Sequence, residues 1–83
     1  MYQYATKGTC SSAIQFDVDG DIVKDVRFIG GCSGNTQGVA RLCEGRSVDE
    51  VIGLLEGIRC GYKATSCPDQ LAQALKQYKA MKD

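Results

Sequence analysis

Cysteines are the residues of this sequence best suited to do chemistry. The chain has 83 residues and five cysteines, and four of these lie beside glycine or at a predicted element boundary. They are Cys10 in "GTCSS", Cys32 in "GGCSGN", Cys60 in "RCGYK" and Cys67 in "TSCPD". A buried cysteine usually stands where the periodicity requires an apolar residue, and these four do not. The pattern therefore indicates a candidate thiolate site.

Four thiolates could bind zinc in a tetrahedral site or ligate an iron–sulfur cluster. The spacing is not that of a zinc ribbon or finger, because no Cys-x2-Cys pair occurs. Histidine is absent, so any metal would be held by sulfur, with or without a carboxylate. We predict a metal site formed by Cys10, Cys32, Cys60 and Cys67, with zinc or an iron–sulfur cluster as the cofactor. Redox-active or sulfur-handling thiols, and purely structural cysteines, remain as alternatives.

Two of these cysteines, Cys32 and Cys67, are predicted to lie at helix N-termini. Unpaired amides and the helix dipole lower the pKa of a thiol at such a position. A lowered thiol pKa favours both metal ligation and nucleophilic redox chemistry, so it does not distinguish these two functions. The fifth cysteine, Cys43, falls on the apolar stripe of a predicted helix, and we expect it to be a buried core residue.

The first third of the chain predicts β-structure. Apolar residues alternate in "AIQFDV" and "DIVKDVRFI", with Lys24 as a misfit on the second stretch. Asp19-Gly20 indicates a hairpin between them. A three-residue loop over 18–20, with Gly20 left-handed, would place Phe16 opposite Ile22 and keep the even positions on one face. A further strand around residues 2–6 is a candidate.

The rest of the chain predicts three helices. The first ends near Gly45, the second begins after a capping box at Ser47 and ends at Gly57, and the third begins at Pro68. Strands followed by helices indicate an α+β fold, with helices packed on one face of a small antiparallel sheet. We expect a single domain over residues 1–83.

Charge and hydropathy exclude several classes of function. Ten basic residues balance ten acidic ones and are scattered, so we expect no nucleic-acid binding. No apolar segment approaches the ~20 residues needed to cross a bilayer, so we expect no membrane association. The N-terminus does not have the pattern of a signal peptide, which indicates a reducing cytoplasm.

The run "TSCPDQLAQAL" resembles the TSCPD domain family, and the resemblance continues through "GIRCGYKATSCPDQLA", "GGCSGNTQGV" and "CSSAIQF". It thus covers nearly the whole chain. The family includes small free-standing proteins and a C-terminal domain of adenosylcobalamin-dependent ribonucleotide reductases. The four boundary cysteines fall on the family's cysteine positions, whereas Cys43 falls where an aliphatic residue is expected. The resemblance implies a link to a ribonucleotide reductase-like partner.

A more distant resemblance, to NifU-type iron–sulfur cluster scaffolds, lies in the order of elements and cysteines. Those scaffolds carry three cysteines, at places matched by Cys10, Cys32 and Cys67. Ser66 stands where the scaffold often has histidine, Ser12 stands where it has aspartate, and a further cysteine follows the second helix. These departures favour a stable all-cysteine metal site over a labile cluster.

Three classes of function follow. One is a metal-binding module linked to a ribonucleotide reductase-like partner. The second is an iron–sulfur or sulfur-transfer scaffold whose partner is the iron–sulfur machinery. The third is a thiol redox accessory that supplies electrons to a reductase. The chain contains no recognisable radical or nucleotide site, so we do not expect it to be the catalytic reductase itself.

Overall fold

The computed structural model describes residues 2–6, 11–30, 33–59 and 65–82. Three strands form an antiparallel sheet in the order β1-β2-β3, and three helices follow them in the chain. This arrangement confirms the predicted α+β fold, including its N-terminal strand. The elements are β1 (Tyr2–Ala5), β2 (Ser11–Asp19), β3 (Ile22–Gly30), α1 (Ser33–Cys43), α2 (Val48–Leu55) and α3 (Cys67–Lys82).

The turn between β2 and β3 has two residues, Gly20 and Asp21, and the predicted three-residue loop is wrong. Asp19 pairs with Ile22 and Val18 with Val23, so Phe16 does not lie opposite Ile22. Gly20 has φ +65°, as predicted. A glycine with positive φ at the first turn position, followed by a residue with negative φ, matches the type II′ turn, whose twist suits a two-residue hairpin.

A bulge in β3 explains why the simple alternation fails. Gln15 pairs with Arg27 but Asp17 pairs with Lys24, so β3 holds one extra residue between these pairs. Asp25, within the bulge, has φ +54°. The extra residue changes which parity of β3 faces the core, so Val23 and Val26 are both buried while Lys24 is exposed.

Backbone hydrogen bonds tie the connection between α1 and α2 to the hairpin. Val23 donates to the carbonyl of Arg46 at 2.8 Å, and Val48 donates to the carbonyl of Asp21 at 2.9 Å. Ser47 Oγ accepts the N–H of Glu50 at 3.2 Å, which confirms Ser47 as the N-cap of α2. Helix α2 therefore begins beside the hairpin turn.

Helices α2 and α3 are antiparallel. Lys79, late in α3, pairs with Asp49 in the first turn of α2, and Lys76 pairs with Glu56 just after the end of α2. Since α2 begins at the hairpin turn, α3 begins at the opposite end of the molecule. The second half of α3 reaches the sheet, where the ring centroids of Tyr78 and Tyr2 lie 4.9 Å apart.

The core joins one face of the sheet to the apolar sides of the helices. Val51, Ile52 and Leu55 of α2, like Leu71, Leu75 and Tyr78 of α3, are buried or partly buried, as the helical periodicity requires. In the part of the chain described here, no helix is long and apolar enough to cross a membrane. The buried cluster comprises Ile14, Phe16, Val23, Val26, Cys43, Val48, Val51, Leu71, Ala74 and Leu75.

Candidate functional site

Of the four predicted metal ligands, Cys67 belongs to the described residues. It is the first residue of α3 and is half-buried. Cys10, Cys32 and Cys60 lie outside the described ranges. Within those ranges, no cluster of three or more histidine, cysteine or acidic side chains is placed to hold a metal ion. The four-cysteine set therefore remains a prediction.

The described residues that flank these cysteines share one end of the molecule. Ser11, which follows Cys10 in the chain, pairs with Gly30 at the end of β3. Helix α1 begins at Ser33, directly after Cys32. Helix α2 runs away from the hairpin turn towards this same end, and α3 begins here. The elements next to Cys10, Cys32 and Cys67 in the sequence, and the end of α2 that precedes Cys60, thus lie opposite the hairpin turn.

Ser66 fixes the start of α3. Its side chain is buried, accepts the N–H of Asp69 at 3.2 Å and donates to the carbonyl of Ile58 at 2.7 Å. Ser66 is thus the capping residue and Cys67 the first helical one, so α3 starts one residue before the predicted Pro68. This serine links the first turn of α3 to the chain segment that leaves α2.

Asp69 makes a second link between the same two helices. Its side chain is only 7% exposed, and Oδ1 accepts the backbone N–H of Gly57 at 2.8 Å. Its other oxygen, Oδ2, accepts the hydroxyl of Thr65, which in turn accepts the amide of Gln70 at 2.9 Å. Both carboxylate oxygens are therefore occupied by donors from the two ends of the α2–α3 connection.

These donors decide the charge of Asp69. Burial raises the pKa of its carboxyl, but hydrogen bonds from Thr65, the backbone of Gly57 and the side chain of Gln73 lower it by more. The net pKa lies below the ordinary value for aspartate. A carboxylate that accepts several hydrogen bonds favours its ionised form. Asp69 therefore carries a negative charge at neutral pH.

The sequence reasoning assigned no role to Thr65 and Asp69. A signal was present, since Ser66 followed three residues later by an acidic residue resembles the start of a capped helix. That signal predicts a cap. It does not predict that the carboxylate reaches back to the end of α2, because this contact joins residues 12 positions apart.

Cys43 is a core residue, as predicted. Its side chain is 3% exposed and packs in the buried cluster. Burial raises the pKa of this thiol to about 11, with Arg46 acting in the opposite direction. A protonated, enclosed thiol is a poor nucleophile and a poor metal ligand. This cysteine therefore fills space in the core.

The described part of the site gives one thiol a fixed backbone position. Cys67 lies between Ser66 and Asp69, both of which are hydrogen-bonded to the end of α2. At the first position of a 16-residue helix, the helix dipole favours a thiolate. The arrangement suits either a metal ligand or a reactive thiol.

Comparison with known proteins gives one positive result. No curated protein and no solved structure matches the chain. The family model of the TSCPD domain matches residues 2–79. This match spans most of the described elements, including the Thr65–Asp69 segment whose hydrogen bonds anchor α3. The chain therefore belongs to the TSCPD domain family.

Proposed function

We propose that the protein binds a metal, as zinc or an iron–sulfur cluster, through the thiolates of Cys10, Cys32, Cys60 and Cys67. The observation that carries the proposal is the shared end of the fold. The elements attached to these four cysteines all begin or end opposite the hairpin turn, although the cysteines are spread over most of the chain. In so small a domain, cysteines next to these element ends could therefore bind one ion.

The donor set fits such a group. Four thiolates satisfy tetrahedral zinc and also the ligand number of common iron–sulfur clusters. A bound metal would cross-link segments far apart in the sequence, and this would stabilise a domain with a small core. The chain contributes the position of Cys67, held at the start of α3 by Ser66 and Asp69.

We further propose that the domain acts in a reducing cytoplasm with a protein partner. Membership of the TSCPD family supports a ribonucleotide reductase-like partner, since this domain is associated with those enzymes. The resemblance to NifU-type scaffolds supports the second choice, a partner in iron–sulfur assembly. In both cases residues 1–83 act as one domain, and catalysis belongs to the partner.

Anaerobic purification, followed by metal analysis and a visible spectrum, tests the proposal. We expect roughly one equivalent of zinc in a colourless protein, or iron and sulfide in a brown one. A brown protein that passes its cluster to an apo-acceptor would favour the scaffold function. Folded, metal-free protein in which the four thiols are all readily alkylated would overturn the metal proposal.

Cysteine variants identify the ligands. Cys67→Ser and Cys32→Ser should each abolish stoichiometric metal binding, because serine is a poor ligand for soft metals. Cys43→Ala is the matched control, since Cys43 is buried in the core and should leave the metal content unchanged. If the thiols serve redox chemistry instead, two of them will form a disulfide that is reversible at a physiological potential.

A further inference from the structure

We infer that Asp69 is a positioning residue: its carboxylate fixes the start of α3, and with it Cys67, against the end of α2. The inference rests on the proposed function, in which Cys67 is a ligand and Cys60 belongs to the connection between these helices. Asp69 would touch no metal. It would act through the backbone that carries Cys67.

The geometry supports this role because the two carboxylate oxygens of Asp69 accept hydrogen bonds from opposite ends of the α2–α3 connection. Oδ1 accepts the N–H of Gly57, which follows α2, and Oδ2 accepts the hydroxyl of Thr65, which precedes α3. The side chain is buried, so its hydrogen bonds are shielded from competition with water. Losing either partner would leave a charged oxygen without its donor, which is costly in a buried place.

Ser66 also joins the start of α3 to the segment after α2, because its hydroxyl donates to the carbonyl of Ile58 at 2.7 Å. In the sequence, Cys67 lies between Ser66 and Asp69, and both of these residues are hydrogen-bonded to the segment that follows α2. The position of its backbone relative to α2 is therefore set by these contacts. Substituting Asp69 should loosen Cys67 before it unfolds the core, which lies further along α3 at Leu71 and Leu75.

Alkylation of Cys67 in reduced, metal-free protein tests the inference without requiring a metal. Iodoacetamide labelling is followed over time by peptide mass spectrometry, which reads Cys67 separately from the other cysteines. Asp69→Ala and Thr65→Val should each label Cys67 about tenfold faster than the wild type. Thr65→Ser should restore the wild-type rate, because it keeps the hydroxyl that donates to Asp69.

Ser47→Ala is the matched control. This substitution removes the N-cap of α2 at the hairpin end. It therefore weakens α2, the helix to which Asp69 is linked, without touching the start of α3. We expect its Cys67 labelling to stay within about threefold of the wild type, a range set by the cost of losing a cap. If Asp69→Ala and Thr65→Val label Cys67 no faster than Ser47→Ala does, the inference is wrong.

A zinc competition assay with a chromophoric chelator adds the functional readout. Asp69→Ala should bind zinc about 10–100-fold more weakly, as for other residues that orient metal ligands, and Ser47→Ala should bind as the wild type does. Wild-type protein that binds no zinc and no iron would refute the proposed function. The labelling experiment would still decide the role of Asp69, so the two failures are distinguishable.

Discussion

The backbone N–H of Gly57 donates a hydrogen bond of 2.8 Å to the carboxylate of Asp69. This contact joins Gly57, two residues after the end of α2, to the first turn of α3, across the connection that contains Cys60. The end of α2, a helix of 8 residues, is thereby fixed against the start of α3, a helix of 16 residues whose first residue is Cys67.

Ser66→Ala should destabilise the protein by about 1–2 kcal/mol, because it removes both the cap of α3 and the bond to the carbonyl of Ile58. Urea denaturation of the metal-free protein measures the change. Ser47→Ala, which removes a single capping bond, should cost about 1 kcal/mol or less. Equal costs for the two variants would show that the bond to Ile58 contributes nothing.

Cys43 should make stability fall with rising pH. Its pKa is about 11 in the folded protein against an ordinary value of 9.0, so between these values the thiol ionises only when the chain unfolds. Ionisation then favours the unfolded state, and the stability present below about pH 9 is lost as the pH approaches about 11. The loss attributable to this thiol should be about 1–3 kcal/mol.

Comparison with Cys43→Ala isolates this effect from the other groups that titrate at high pH. The difference in unfolding free energy between wild type and variant should shift in favour of the variant as the pH rises from about 8 to about 11. A difference that stays constant over this range would contradict the burial of Cys43.

Asp25 should be sensitive to substitutions that disfavour a left-handed backbone. Its φ is +54°, and its side chain is exposed. Asp25→Val should be less stable than Asp25→Gly by about 1–2 kcal/mol, since a β-branched residue is strained there and glycine is not. Thermal unfolding of the two variants measures this. Equal stability would mean that residue 25 does not adopt the left-handed conformation in solution.

The bulge at Asp25 also shows where sequence reasoning fails. Alternating apolar residues located β2 and β3 correctly, but alternation has no means of counting an inserted residue. Lys24, which did not fit the predicted apolar face, was the visible sign of the insertion. Once the bulge is included, Lys24 points to solvent and pairs with Asp19 at 3.1 Å. A misfit within a strand pattern can therefore indicate a bulge.

Helix boundaries were more predictable because their signals are local. The cap at Ser47 and the core position of Cys43 follow from residues within one or two turns of each other, and both are confirmed. The link from Asp69 to Gly57 depends on how two helices pack, which no local pattern encodes. The sequence thus identified Cys67 as a candidate ligand but not the residues that hold it in place.

The sulfur coordination of the bound metal tests the central claim most directly. X-ray absorption at the zinc or iron edge of anaerobically purified protein reports the number and type of ligand atoms. We predict an all-sulfur shell, at about 2.3 Å for zinc, with no oxygen or nitrogen ligand. Protein without bound metal, or a wild-type shell containing oxygen or nitrogen, would contradict a site formed by four cysteine thiolates.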